Sequence, residues 1–135
     1  MKKLTLILLS TVLIATGCSH RSREIYTVNH HMMPVESNKL TREQRVKYII
    51  KAANKHNWKC KETSTQTIMC RVDAQIQMAT VEIKHNRDTF SIKRLKTENL
   101  NYDSGGYIHQ RYNFWIKNLE RSIESTLAFQ EVLQP

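Results

Sequence analysis

Residues 58–72 read WKCKETSTQTIMCRV, and the pattern in this stretch determines the architecture that we predict. Apolar and polar residues alternate in WKCKE (58–62), and a short polar segment separates this run from TIMCRV (67–72). In the second run Ile68, Cys70 and Val72 fall on one face, and Met69 and Arg71 fall on the other. Such a period of two is typical of a β-strand with one buried and one exposed face. A short polar link between two such runs predicts an antiparallel hairpin, which we centre on Thr65.

The two cysteines of this stretch are predicted to be bonded to each other. In a hairpin centred on Thr65, Cys60 lies directly opposite Cys70. A non-hydrogen-bonded antiparallel pair holds its α-carbons about 4.5 Å apart, a distance that a disulfide bond tolerates. The alternatives are two buried free thiols, and a zinc site that would add His56 and His85. The spacing of these four residues matches no compact zinc-binding motif, so we predict the disulfide and no metal.

Two more alternating runs follow the hairpin. They are ATVEIKH (79–85) and TFSIK (89–93), joined by a polar turn. We expect these strands to continue an antiparallel meander with one dry and one wet face. The alternation slips between Met78 and Val81, which predicts a β-bulge or a bend near that point.

Helical patterns flank the strands on both sides. Thr41 and Gln44 fit a capping box, and the helix that they open extends to about Asn57, which can end it in the left-handed conformation. A second helix is predicted over residues 109–128, preceded by a loop over residues 96–108. The resulting fold class is α/β of the α+β kind. It is a two-layer sandwich, an antiparallel meander of three to four strands with the N-terminal and the C-terminal helix on one face.

The first residues of the chain are typical of an export signal. A basic start, MKK, precedes the uncharged run LTLILLSTVLIA and the small residues of ATG, which predicts a signal peptide over residues 1–17. The apolar run is shorter than the roughly 20 residues that span a membrane. Residues 14–18, IATGC, resemble the lipobox of bacterial lipoproteins, in which the cysteine is lipidated and becomes the new N-terminus. The resemblance implies lipidation of Cys18, and Ser19 implies sorting to the outer membrane.

The remaining chain is predicted to form one domain. Residues 18–38 are interpreted as the lipidated N-terminus and a tether, within which residues 25–28 could pair as a short edge strand. Residues 39–130 are the single α+β domain, and residues 131–135 are a tail.

Charge restricts the partners that we expect. The chain has 21 basic and 12 acidic residues and a formal net charge of +9. Two of the basic residues, Lys2 and Lys3, belong to the predicted signal peptide. A basic body attracts anionic partners, and after export these are the membrane, an anionic envelope polymer or another envelope protein rather than nucleic acid.

A candidate binding surface follows from strand parity. Five basic residues should share the wet face of the sheet, against Glu82 alone, and three residues of the following loop and helix start could extend the surface. The candidates are Lys59, Lys61, Arg71, Lys84, Lys93, Tyr102, Tyr107 and His109. The same face could instead be simply solvated.

No residues are predicted to be catalytic, and no cofactor is expected. His109 is the best single candidate for chemistry, but a position at the start of a helix favours a capping role. Glu120 and Glu124 lie one helical turn apart among basic residues, which indicates a solvated face and not an acid–base pair. His30 and His31 form an incomplete ligand set for a metal ion.

Several segments fit one pattern that spans residues 24–124. IYTVNHHMMPV (25–35) opens it, Asn99-Leu100 follows, and YIHQRYNFWIKNLERSI (107–123) closes it. The pattern resembles that of a family of small, functionally uncharacterised lipoproteins of Gram-negative bacteria. The resemblance implies the fold, the lipid anchor and the domain limits, and it implies no reaction.

The chain departs from that family at the cysteines, because Cys60 and Cys70 stand where small or aliphatic residues are usual. The predicted disulfide is therefore a feature of this chain. For function we expect an envelope-anchored, non-enzymatic binding or assembly module. Two alternatives stay open: a small periplasmic or cell-wall hydrolase that uses His109 and residues 96–108, and an accessory lipoprotein of a secretion apparatus.

Overall fold

The computed structural model of the protein describes residues 21–130. The predicted signal peptide, Cys18 and the tail over residues 131–135 lie outside the described residues. Seven strands, two α-helices and one 3₁₀ helix follow in the order β1 (Ser22–Glu24), β2 (Val28–Met32), the 3₁₀ helix (Val35–Lys39), α1 (Arg42–Asn54), β3 (Lys59–Ser64), β4 (Thr67–Ala74), β5 (Gln77–His85), β6 (Thr89–Glu98), β7 (Tyr107–His109) and α2 (Gln110–Ala128).

The two cysteine-bearing runs form the predicted hairpin. Strands β3 and β4 pair antiparallel, with Cys60 opposite Cys70 and Lys61 opposite Met69. The α-carbons of the two cysteines are 4.1 Å apart, and their sulfur atoms are bonded. The predicted disulfide is therefore confirmed, and neither of these thiols is free to bind a metal.

The main sheet has five antiparallel strands in the order β2-β6-β5-β4-β3. It is larger than the predicted meander of three to four strands because β2 adds to the free edge of β6. The predicted irregularity is present, since Thr80 lies opposite Lys96 whereas Val81 lies opposite Arg94. The extra residue of this bulge, Leu95, lies on β6 and not on β5.

The predicted tether is wrong for residues 22–38. Strand β1 pairs with β7 in a separate two-stranded sheet, and β2 pairs with β6. Val28 and Met33 are buried in the core. The predicted edge strand over residues 25–28 overlaps β2 only at Val28, where β2 begins.

The predicted loop over residues 96–108 is also shorter than expected. Strand β6 continues to Glu98, and Tyr107 already belongs to β7. The end of β6 is paired by the preceding strand β5, whereas β7 is paired by β1, which is distant in sequence and is not revealed by local patterns.

Both helices begin where their capping residues predict. The Thr41 hydroxyl accepts a hydrogen bond from the Gln44 amide, and the Gln44 side chain accepts one from the Thr41 amide, which completes the capping box. Helix α1 ends at Asn54, three residues before the predicted end. Asn57 follows in the left-handed conformation, with φ of 66°.

The two helices and the dry face of the sheet enclose one hydrophobic core, which is the predicted two-layer α+β sandwich. The largest fully buried side chains come from both layers: Trp58, Tyr112, Phe90, Ile49, Ile68, Ile83, Ile92, Leu100, Ile108, Ile116, Leu119 and Ile123. A buried hydrogen bond of 2.8 Å from the Ser122 hydroxyl to the Ala52 carbonyl joins the helices. Over residues 21–130, no helix is both long and apolar enough to cross a membrane.

Candidate functional site

The predicted basic residues of the sheet do share one face. Lys59 lies opposite Arg71. In the next row of the same face, Lys61 lies opposite Met69, Met69 lies opposite Glu82, and Glu82 lies opposite Lys93. Residues directly opposite each other in an antiparallel sheet point to the same side. We call the exposed set of Lys59, Lys61, Arg71, Lys84 and Lys93 the basic sheet face.

The charge of the basic sheet face is more balanced than the sequence indicated. Strands β4 and β6 extend far enough to place Asp73 and Glu98 there, beside Glu82, and the extension of β6 also adds Lys96. Arg71 donates two hydrogen bonds of 2.9 Å to the Asp73 carboxylate, whose pKa they lower. Lys84 Nζ lies 3.8 Å from a Glu82 oxygen. The expectation that Glu82 is the only carboxylate is therefore wrong, and this surface resembles an ordinary solvated face.

The three other candidates lie away from the basic sheet face. The Arg94 guanidinium stacks on the Tyr102 ring at 3.5 Å, on the side of the sheet that carries the helices. Tyr107 is exposed on β7 opposite Glu24. The eight predicted residues therefore do not form one surface.

His109 has the capping role that its position favoured. Its Nδ1 accepts a hydrogen bond of 3.0 Å from the Arg111 amide at the start of α2. Partial burial, with the charges of Arg111 and Arg21, lowers the pKa of His109. The neutral ring that results is the form that can accept this bond.

The same end of α2 borders an open cleft of about 990 Å³. Residues 21–26 form one wall, and the N-terminal half of α2 forms the other. Four cationic side chains line it: Arg21, Arg23, Arg111 and Lys117, together with His109. Glu24 is the one carboxylate among the described lining residues. We call this feature the basic cleft.

Asn113 holds the two walls of the basic cleft together. Its side-chain amide donates a hydrogen bond of 2.9 Å to the Glu24 carbonyl, and its side-chain oxygen accepts one of 2.8 Å from the Tyr26 amide. Asn113 is only 9% exposed. A third hydrogen bond of 2.6 Å, from the Gln110 amide to the Arg21 carbonyl, fixes the start of the same wall.

Asn113→Ala is expected to loosen this wall and to lower the free energy of unfolding by about 2 kcal/mol, because two partly buried backbone groups lose their partners. Hydrogen exchange should become faster at the Tyr26 amide. Asn118→Ala is the matched control, since Asn118 lies on the same helix and bonds only to exposed Arg121. Unchanged exchange at Tyr26 in Asn113→Ala would refute this role.

Sequence reasoning missed the basic cleft because Arg21 and Arg23 lay in the predicted tether. The available signal was the basic run HRSR (20–23), which follows the predicted lipidation site Cys18 after Ser19. A basic run next to an anchor is a recognisable membrane-surface pattern. The opposite wall of the cleft, from His109 to Lys117, is distant in sequence, and only the fold shows that it faces this basic run.

A polar network ties β2 to α2 beside the basic cleft. The Tyr26 hydroxyl donates a hydrogen bond of 2.6 Å to Glu120, and His31 Nδ1 lies 2.8 Å from the other Glu120 oxygen. His31 Nε2 lies 3.3 Å from Glu124, and the His31 ring stacks on Phe90.

The prediction of a solvated face is therefore wrong for Glu120, whose side chain is 15% exposed, while Glu124 remains half exposed. The bond to Glu120, together with burial, raises the pKa of Tyr26 to about 12, so this hydroxyl stays protonated as a donor. The network is a structural tie between layers. Among residues 21–130, no group of three or more His, Cys, Asp or Glu is arranged to hold a metal ion.

A second buried polar pair lies under the sheet. His85 is 2% exposed, and its Nδ1 accepts a hydrogen bond of 3.1 Å from the buried Arg45 guanidinium. Its Nε2 has no hydrogen-bond partner in the described part of the chain. Burial, and then the charges of Arg45 and Arg42, lower the pKa of His85 to about 4.

No family model matches the chain, and neither a curated protein nor a solved structure matches it. The resemblance to small Gram-negative lipoproteins therefore stays a prediction, as do the alternatives for function.

Proposed function

We propose that the mature chain begins at Cys18, carries lipid on that residue, and acts as a non-enzymatic binding module anchored to the bacterial envelope. The observation that carries this proposal is the apolar run ending in IATGC (14–18). Ser19 favours the outer membrane, with the folded domain in the periplasm. More than one acyl chain gives an anchor that does not readily reverse.

The Cys60–Cys70 disulfide supports an exported location. Disulfides persist in oxidising compartments such as the periplasm and are rare in the cytosol. The bond closes a hairpin at one edge of the sheet, and Cys70 is fully buried. A structural disulfide and an export signal in one chain are consistent with each other.

Binding is favoured over catalysis because the candidate chemical groups are engaged in structural contacts. His109 Nδ1 caps α2, and the Glu120 carboxylate is bonded to Tyr26 and His31. The hydrolase alternative would need His109 as a base. The basic cleft, in contrast, offers several cations with one neighbouring carboxylate, which is a surface for an anionic envelope component.

The anchor is tested by feeding cells a labelled fatty acid. The wild-type chain should incorporate the label, and Cys18→Ser should lose it completely, because the acceptor thiol is gone. The matched control is Cys60→Ser/Cys70→Ser, which should still be labelled. Label that persists in Cys18→Ser, or an unlabelled wild-type chain, would refute the proposal.

The partner is best identified by crosslinking in intact cells followed by mass spectrometry of the captured species. A binding module should capture an envelope component, and Arg21→Gln/Lys117→Gln should reduce that capture. Lys84→Gln/Lys93→Gln, which removes the same charge from the basic sheet face, should leave the capture intact. The hydrolase alternative predicts instead that His109→Ala abolishes an activity on the captured component.

A further inference from the structure

The basic cleft lies next to the proposed anchor in the chain. Arg21 lines the cleft and is separated from Cys18 only by residues 19 and 20. An extended chain advances at most about 3.6 Å per residue, so the α-carbons of Cys18 and Arg21 are within about 11 Å of each other. A lipid on Cys18 would therefore hold the basic cleft against the headgroup layer.

The cations of the basic cleft suit a phosphate ligand. Arg21, Arg23 and Arg111 line the cleft with guanidinium groups, which can bind phosphate oxygens through two parallel hydrogen bonds. Two of these groups are partly engaged, because Arg23 donates a hydrogen bond to the Ser22 carbonyl and Arg111 donates one to Gln77. Arg21 and Lys117 form no ion pair with any carboxylate of residues 21–130. Lys117 Nζ instead lies 5.2 Å from the centre of the Tyr26 ring.

An exposed apolar side chain adjoins these cations. Phe114 is 62% exposed and lines the cleft together with Ile25. Lys117 lies three residues after Phe114, and Arg121 lies four residues after Lys117, so all three lie along one exposed stripe of α2. A helix that combines exposed cations with an aromatic residue is suited to the interface of an anionic membrane.

The basic sheet face is the weaker competitor for the same ligand. Its carboxylates Asp73, Glu82 and Glu98 form ion pairs with its own cations Arg71, Lys84 and Lys96. It also lies on the sheet layer, whereas the basic cleft is built on α2.

We propose that the basic cleft binds the phosphate headgroups of anionic lipids in the membrane that carries the anchor. The ligand class is an anionic phosphodiester or phosphomonoester lipid. For its place next to the membrane, this inference rests on the proposed lipidation of Cys18. The cleft then forms a second contact with the membrane, in addition to the lipid anchor. This contact fixes the orientation of the folded domain and leaves the basic sheet face pointing away from the membrane.

The test titrates the full chain, purified from membranes in a nonionic detergent, with water-soluble dihexanoyl phosphatidylglycerol. Dihexanoyl phosphatidylcholine, which has the same chains and no net charge, should bind at least about tenfold more weakly. Binding of phosphatidylglycerol should weaken between about 0.1 M and 1 M salt, because the screening length falls from about 10 Å to about 3 Å.

Arg21→Gln/Lys117→Gln should weaken this binding by at least about tenfold, since loss of one hydrogen bond to a charged phosphate costs roughly that factor. Lys84→Gln/Lys93→Gln removes the same charge from the basic sheet face and should change binding by less than about twofold. Lys117→Arg keeps the charge and a cationic group that can bind phosphate, so this variant should bind as the wild type does. Both pairs are exposed, so neither change removes a core contact.

Three results would overturn the inference. Equal binding of the two lipids would show that charge is not recognised, and equal weakening by Lys84→Gln/Lys93→Gln would place the site elsewhere. Displacement of the lipid by an equal concentration of inorganic phosphate would identify free phosphate as the ligand. Because the lipid is added from solution, the titration gives its answer whether or not Cys18 is acylated, and fatty-acid labelling decides the anchor separately.

Discussion

The double variant Cys60→Ala/Cys70→Ala is expected to lower the free energy of unfolding by about 3 kcal/mol relative to the oxidised wild type. The two cysteines are 10 residues apart in sequence, and opening this loop restores conformational entropy to the unfolded chain. Because Cys70 is fully buried, removal of its sulfur adds a small cavity to this loss. Urea unfolding of the two proteins under identical conditions measures the difference.

The matched control is Lys61→Ala/Met69→Ala, the neighbouring cross-strand pair on the opposite face of the same hairpin. It should destabilise the protein by less than about 1 kcal/mol. Reduction of the wild type should reproduce most of the effect of the double variant. Equal stability of the oxidised wild type and the double variant, or free thiols at both positions in non-reducing peptide maps, would contradict the structure.

Acidification from pH 7 to pH 4 is expected to remove about 3 kcal/mol of folding stability through His85 alone. An unfolded histidine has a pKa near 6.5, whereas burial and the guanidinium groups of Arg45 and Arg42 lower that of His85 to about 4 in the folded protein. Glu62 acts in the opposite direction but more weakly. Between these two pKa values the unfolded chain binds a proton that the folded chain does not. The free energy of unfolding therefore decreases as the pH is lowered.

The contribution of His85 is thus complete above about pH 6.5 and lost as pH falls through about 4. His85→Gln keeps an acceptor for Arg45 but has no titrating group. Urea unfolding at pH 7, 5 and 4 should show that this variant loses about 3 kcal/mol less than the wild type over that range. His56→Gln, an exposed position, should follow the wild type, and parallel losses in wild type and His85→Gln would contradict the assignment.

The parts of the fold that could be predicted are those whose signal is local. The alternation around Cys60 and Cys70 shows which residues of the hairpin face the core. A turn centred on Thr65 then places the two cysteines opposite each other. The capping box of Thr41 and Gln44 is likewise complete within four residues. These features need no distant partner, and the structure has them as predicted.

The N-terminal segment could not be predicted because its contacts are distant in sequence. Strand β1 is hydrogen-bonded to β7. The side chain of Asn113, on α2, forms hydrogen bonds with the backbone of Glu24 and Tyr26. The polar side chains of Tyr26 and His31 are turned toward Glu120, so the segment lacks the alternation of apolar residues that marks a half-buried strand.

The candidate site was predictable only in part for the same reason. Parity correctly placed five basic residues on one face, but the lengths of β4 and β6, which add Asp73 and Glu98, depend on pairing across the sheet. The basic cleft joins residues 21–26 to the start of α2, which lie almost at opposite ends of the domain. Only the basic run over residues 20–23 pointed toward it.

The most direct measurement is mass spectrometry of the N-terminal peptide of the protein recovered from bacterial membranes. We expect its first residue to be Cys18, with a mass increase that corresponds to a diacylglyceryl group. A peptide that begins at Met1, or one that begins at Cys18 with an unmodified thiol, would contradict the anchor and remove the reason for placing the basic cleft against a membrane.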